Sequence, residues 1–229
     1  MGDDKGAVSH GRSPHNDPQM TLEALTQRIL ELKEGRRILV AVAGPPASGK
    51  STLAHKLSVG IREAGRSAAV VPMDGFHFDD AILKDHGDLD RKGAPWTFDV
   101  GGFATLVERL STNADDVIYV PVFDRALELS RASGRAIPST VEVLLVEGNY
   151  LLLDEPEWTK AAQHYGLTVM LDVDLVTLEE RLLDRWTGFG LSRDAAQTRA
   201  AENDLPNGTL VLTKSRRADV YLSNTGFGE

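Results

Sequence analysis

The chain has 229 residues and a net charge of -9, from 25 basic and 34 acidic residues, with 41% hydrophobic and 26% charged positions. This is globular composition, long enough to bury its own core, and its acidity excludes nucleic-acid binding through the overall field. With no cysteine, disulfides, thiolate metal sites and cysteine nucleophiles are excluded as well.

Residues 1–20 are rich in Gly, Asp, Ser, Pro and His, so they are expected to form a disordered tail, leaving 21–229 as one domain. That tail lacks the apolar core of a secretory signal, and no apolar run reaches the roughly 18 residues of a membrane span. The expected location is cytoplasmic, with no membrane partner. From Thr21 to Glu34 the leucines and Ile29 follow a helical spacing that Gly35 closes. Buried-strand signals come next at Ile38–Ala43, Ser67–Val71, Val143–Val146, Leu167–Leu171 and Ala218–Leu222. Helical patterns lie between them at Ser51–Ala64, Gly102–Leu110, Glu157–His164, Thr177–Trp186 and Arg193–Ala201. Strands alternating with helices predict an α/β fold, its parallel sheet covered on both faces.

The strongest motif is Gly44-Pro45-Pro46-Ala47-Ser48-Gly49-Lys50-Ser51, followed by Thr52. It fits G-x-x-x-x-G-K-[ST], a string expected by chance in about one chain of this length in a hundred. It also stands where the physics requires, after a strand and at the start of a helix. Glycines let backbone N–H groups turn toward phosphates, and the helix N-terminus adds its positive end. Lys50 would reach the β- and γ-phosphates, and the Ser51 hydroxyl would ligate magnesium. A lysine at a helix start otherwise opposes the helix dipole, which argues against a purely structural turn. The guanine-reading string N-K-x-D does not occur; the nearest, Thr213-Lys214-Ser215-Arg216, lacks the acid.

Ligands of doubly wound sheets gather at the carboxyl ends of strands. Asp74 follows the second strand and Glu147 ends VLLVEG. One carboxylate there can accept a hydroxyl proton and another can hold magnesium. Asp74-Gly75 is equally a turn-forming pair, and Asp172, closing LTVMLD, competes with Glu147 on pattern.

Together GPPASGKS, MDGFH, PVFDRALE, VEGNYLLL and RLLDRW resemble the phosphoribulokinase/uridine kinase/pantothenate kinase family of P-loop kinases over roughly Arg37 to Asn224. The resemblance implies a P-loop three-layer sandwich with a five-stranded parallel sheet and a mobile helical lid. It implies ATP as co-substrate, Mg2+ as cofactor and a small-molecule acceptor; no nucleic-acid partner is expected of so acidic a chain, and a homodimer is an expected assembly. The resemblance makes Asp74 the catalytic base, ranks Glu147 above Asp172 as the magnesium acid, and reads Arg181 and Arg185 as lid arginines, with Arg193 a third contact. His77, Asp124 and Arg125 become acceptor-side candidates. Phe123 stands where uridine kinases carry a tyrosine, so a sugar or sugar-like alcohol leads over nucleoside and pantothenate. The Phe78–Phe98 insert, with His86, Arg91 and Trp96, is expected near the acceptor. The competing readings are an ATP-gated regulatory protein and an NTPase whose acceptor is water.

Overall fold

The computed structural model describes residues 20–32 and 35–223. All of the expected tail except Met20 lies outside these residues, as do Lys33 and Glu34 of the first predicted helix. The elements in chain order are α1 (Leu22–Leu30), β1 (Ile38–Ala43), α2 (Lys50–Glu63), β2 (Ala68–Pro72), α3 (Asp80–His86), α4 (Val100–Thr112), β3 (Val117–Asp124) and β4 (Leu129–Pro138). They continue with β5 (Val143–Gly148), α5 (Pro156–Ala162), β6 (Leu167–Asp172), α6 (Leu175–Gly188), α7 (Arg193–Arg199), α8 (Leu205–Lys214) and β7 (Val220–Ser223).

Five parallel strands form the sheet in the order β2-β5-β1-β6-β7. Every residue of β1 and β5 is buried, as the unbroken runs ILVAVA and VLLVEG require of strands covered on both faces. One face packs Leu25 and Ile29 of α1 with Leu53, Leu57 and Ile61 of α2. The other packs Phe103, Val107 and Leu110 of α4 with Trp158 of α5 and Val211 of α8. These are the three layers expected. The chain leaves β1 toward β2 and leaves the adjacent β5 toward β6 on the other side, so the P-loop sits where strand order switches, where α/β sheets open a crevice.

Three segments depart from the sequence pattern. β3 and β4 form a separate antiparallel hairpin where no strand was predicted. All but one residue of β4 is partly or fully exposed, so its sequence LSRASGRAIP carries no apolar alternation to read. The insert after Phe78 is not a plain loop, since α3 and two short 3-10 turns, Leu89–Arg91 and Pro95–Thr97, occupy it. Finally, the helical stretch from Arg193 continues through one wide π turn, Ala200–Asp204, into α8. Pro206 and Gly208 resemble breakers, yet proline is tolerated in a first helical turn.

Candidate active site

The P-loop joins β1 to α2 through two backbone turns in the left-handed region, at Ala47 (φ 59°) and Gly49 (φ 91°). At Gly44 close approach matters more: a Cβ there would lie 2.7 Å from Ser48 Oγ and 3.0 Å from Leu171 Cβ. Lys50 opens α2 with only 8% of its surface exposed, and its ammonium donates to the Pro45 carbonyl at 2.8 Å. Burial brings its pKa down to about 8, opposed by the charges of Glu147 and Asp74. Arg185 and Arg125 also depress it, so four charged groups from separate elements act on this ammonium.

Glu147 leaves the end of β5, 8% exposed. Burial, reinforced by the negative charge of Asp74, pushes its pKa up to about 6, against the pull of Lys50 and a hydrogen bond with Ser51. A hydroxyl and a carboxylate side by side form a hard oxygen donor set of the kind magnesium takes. Asp172 pairs with Ser223 in the β6–β7 ladder and does not line the cleft.

Asp74 lies in a 3-10 turn, Met73–Phe76, directly after β2. Its Oδ2 accepts from Arg125 Nη2 at 2.8 Å, across to the turn of the hairpin. Gly75 is required by close approach, because a Cβ there would sit 2.5 Å from the Pro121 carbonyl oxygen of β3. His77 Nδ1 lies 2.9 Å from the Asp74 backbone oxygen, which can only accept, so Nδ1 carries the proton and Nε2 is left to accept. The ring packs between Phe98, 4.0 Å between centroids, and Phe123, 4.9 Å. Burial lowers its pKa and favours the neutral form.

These side chains line one cleft of about 380 Å³. The predicted Pro46, Ala47, Gly49, Lys50, Ser51, Thr52, Asp74, His77, Arg125, Glu147 and Arg185 all face it. Gly44, Pro45 and Ser48 of the P-loop, and the predicted Asp124, Arg181 and Arg193, are not among the residues lining this cleft. Asp124 instead accepts from the backbone N–H groups of Ala126 and Leu127 and pairs with Arg131 at 3.2 Å, so it shapes the hairpin turn that presents Arg125. Arg181 lies one turn before Arg185 on α6 but is not among the cleft-lining residues. The arginine beside Arg185 is Arg199 of α7, stacked 4.3 Å from the Trp186 ring, with Arg185 5.4 Å from it. Trp186 in turn donates to Asp204 at 2.8 Å. Burial lowers the pKa of Arg185 and raises that of Asp204. Lys92, Glu128, Asn149, Arg199, Asp204 and Asn207 also line the cleft and were missed. Asn149 follows Glu147 within VEGNYLLL, a signal that was available; the others had none.

A family model described as methylmalonyl Co-A mutase-associated GTPase MeaB matches residues 6–91, a stretch that holds the P-loop and Asp74. Longer matches point elsewhere. A Schizosaccharomyces pombe protein named putative uridine kinase is 33% identical over 209 residues, covering 87% of this chain and 89% of its own. The pantothenate kinase of Limosilactobacillus fermentum is 28% identical over 239 residues, covering 92% of this chain and 76% of its own. The crystal structure of a protein named putative fructose transport system kinase from Silicibacter sp. TM1040 superposes with a TM-score of 0.84 at 41% identity, covering 89% of this chain and 99% of that one. With a P-loop at the switch point of a five-stranded parallel sheet and relatives that span nearly its whole length, this chain is a small-molecule kinase and belongs to the phosphoribulokinase/uridine kinase/pantothenate kinase family of P-loop kinases.

Proposed function

We propose that this kinase transfers the γ-phosphoryl group of ATP to a hydroxyl of a small polar metabolite, a sugar or sugar-like alcohol ahead of a nucleoside or pantothenate. The observation that carries this reading is the convergence of Asp74 and Arg125 on the same cleft as Lys50 and Glu147. Lys50 would exchange the Pro45 carbonyl for phosphate oxygens. Ser51 and Glu147 would hold Mg2+, which would supply charge neutralisation for the triphosphate. Asp74 would take the acceptor's proton at its carboxylate as the new O–P bond forms. The bond from the γ-phosphorus to the bridging oxygen breaks, and ADP leaves with the electron pair. Arg185 would stabilise charge on the phosphoryl oxygens, and Arg181 would join it only on closure of α6.

The acceptor side favours a polyol. Arg125 and Lys92 offer donors, Glu128 and His77 Nε2 offer acceptors, and Asn149 offers both. The Phe123 ring is already bordered by His77, Lys92 and Arg125, leaving little flat aromatic surface for a nucleobase to stack on. The test is an ATP-dependent phosphorylation screen over sugars, polyols, nucleosides and pantothenate, with Lys50→Ala as the blank. A phosphorylated polyol is expected. ATP consumption independent of every acceptor would overturn the reading in favour of water as acceptor.

A further inference from the structure

Asn203 is 4% exposed and sits in the wide turn between α7 and α8. Its Nδ2 donates to the Lys92 carbonyl at 2.9 Å, and its Oδ1 accepts from Arg91 Nε at 3.2 Å. A carbonyl can only accept and a guanidinium can only donate, so these neighbours fix which way the amide faces. Asn207, one turn later, holds the same Oδ1 at 3.3 Å. The adjacent residue, Asp204, reaches the other way to Trp186, the ring on which Arg185 and Arg199 stack. A π turn inserts one residue into a helix and so re-aims consecutive side chains, which is how these turns are commonly used at functional sites. Here it sends one side chain to the loop that brings Lys92 into the cleft and the next to the arginine helices.

We propose that Asn203 is a positioning residue that ties the Arg91–Gly93 loop to the α6–α8 helices, so that nucleotide bound beside Arg185 and Arg199 orders the acceptor side of the cleft. The inference rests on the kinase reading above. It deepens that reading by naming the link through which the two substrates sense each other. The loop is also anchored from the segment after β5, where the Tyr150 hydroxyl donates to the Gly93 carbonyl at 2.6 Å, and internally, where Gly93 N–H donates to Thr97 Oγ1 at 2.9 Å. Breaking the Asn203 link should therefore leave the loop folded but uncoupled. Asn203→Leu is close in size and removes both hydrogen bonds to the loop, whereas Asn203→Ala removes them with a shorter side chain.

The experiment is hydrogen exchange with and without the non-hydrolysable analogue AMP-PNP and magnesium, its binding followed by calorimetry. In the wild-type chain, AMP-PNP should slow exchange in the P-loop, in α6–α8 and in residues 89–97. The slowing at 89–97 should be about fivefold or more, at the low end of ordinary coupling between sites. In both variants the analogue should still bind and still slow the P-loop and α6–α8, while the slowing at 89–97 is lost. If either variant fails to fold, the other gives the same comparison. Slowing at 89–97 that survives in a folded variant, or that is missing from the wild-type chain although AMP-PNP binds, would overturn the link and leave the kinase reading intact. Absence of AMP-PNP binding would overturn the kinase reading and the link with it.

Discussion

Asp74 enters the cleft already paired with Arg125 at 2.8 Å, so its carboxylate is engaged by a residue on a different element. A turn-forming aspartate would spend its oxygens on nearby backbone N–H groups, as Asp124 does. Asp74→Asn keeps the size of the side chain but cannot take a proton, so turnover should fall by about 10² to 10⁴, with ATP binding and thermal unfolding nearly unchanged. A variant that melts early yet phosphorylates at the wild-type rate would make Asp74 structural. In the roles proposed above, Lys50 and Glu147 set a pH window. Glu147 must be ionised to hold Mg2+ and is protonated below about 6, while Lys50 must be charged to hold phosphate and loses its proton above about 8. The profile of kcat/KM for ATP should thus be bell-shaped, with limbs near those values, since it reports the free enzyme. Bound triphosphate favours charged Lys50, so the alkaline limb of kcat should lie higher. An acid limb unchanged in Glu147→Gln would remove Glu147 from the magnesium role.

At the scale of elements, the 3-10 turn bearing Asp74 is clamped against the hairpin, and Gly75 is the contact. Gly75→Ala places a methyl 2.5 Å from a backbone oxygen of β3 and must displace one of the two. It should cost about 1–3 kcal/mol of stability and lower turnover as Asp74 shifts. Gly101→Ala in the first turn of α4 is the control. Its Cβ meets nothing closer than 3.8 Å, so it should stabilise by about 0.4–1 kcal/mol, both changes being read by chemical denaturation. On α6, Arg185→Ala should lower kcat more than it weakens ATP binding, because charge on the transferring group peaks in the transition state. An effect confined to ATP affinity would make Arg185 a ground-state contact. The i, i+4 spacing of Arg181 and Arg185 was legible on α6, but Arg199 was not. It reaches the same ring from α7, and contact between two helices leaves no spacing in a sequence.

Across the whole molecule, Arg37 joins layers at the end of the sheet opposite the site. With 6% of its surface exposed, it donates to the carbonyls of Val141 at 2.9 Å, Pro138 at 2.6 Å and Leu110 at 3.4 Å. It thereby holds β4, the approach to β5 and the end of α4 around the start of β1. Arg37→Met keeps the bulk but strands three acceptors, and should cost about 2–4 kcal/mol in chemical denaturation. Because the P-loop lies at the other end of β1, nucleotide affinity measured under folding conditions should be unchanged. An altered affinity would mean that strain travels along the strand.

The sequence by itself determined the five strands of the sheet, most of the helices that cover them, and the phosphate cradle. Those features are local: burial on both faces leaves unbroken apolar runs, and a phosphate loop needs its glycines, lysine and hydroxyl within eight consecutive residues. The resemblance also pointed to Asp74 and Glu147, because strand ends in this fold converge. Only the tertiary structure decided which of the remaining charges meet. The hairpin is too exposed to show an apolar pattern, yet it carries Arg125 to Asp74 while Asp124 beside it turns away into the loop. Likewise Lys92, Arg199, Asp204 and Asn207 are brought to the cleft by packing between an insert and a π turn more than a hundred residues apart. Side chains joined through space answer to each other's geometry, and that constraint is invisible along the chain.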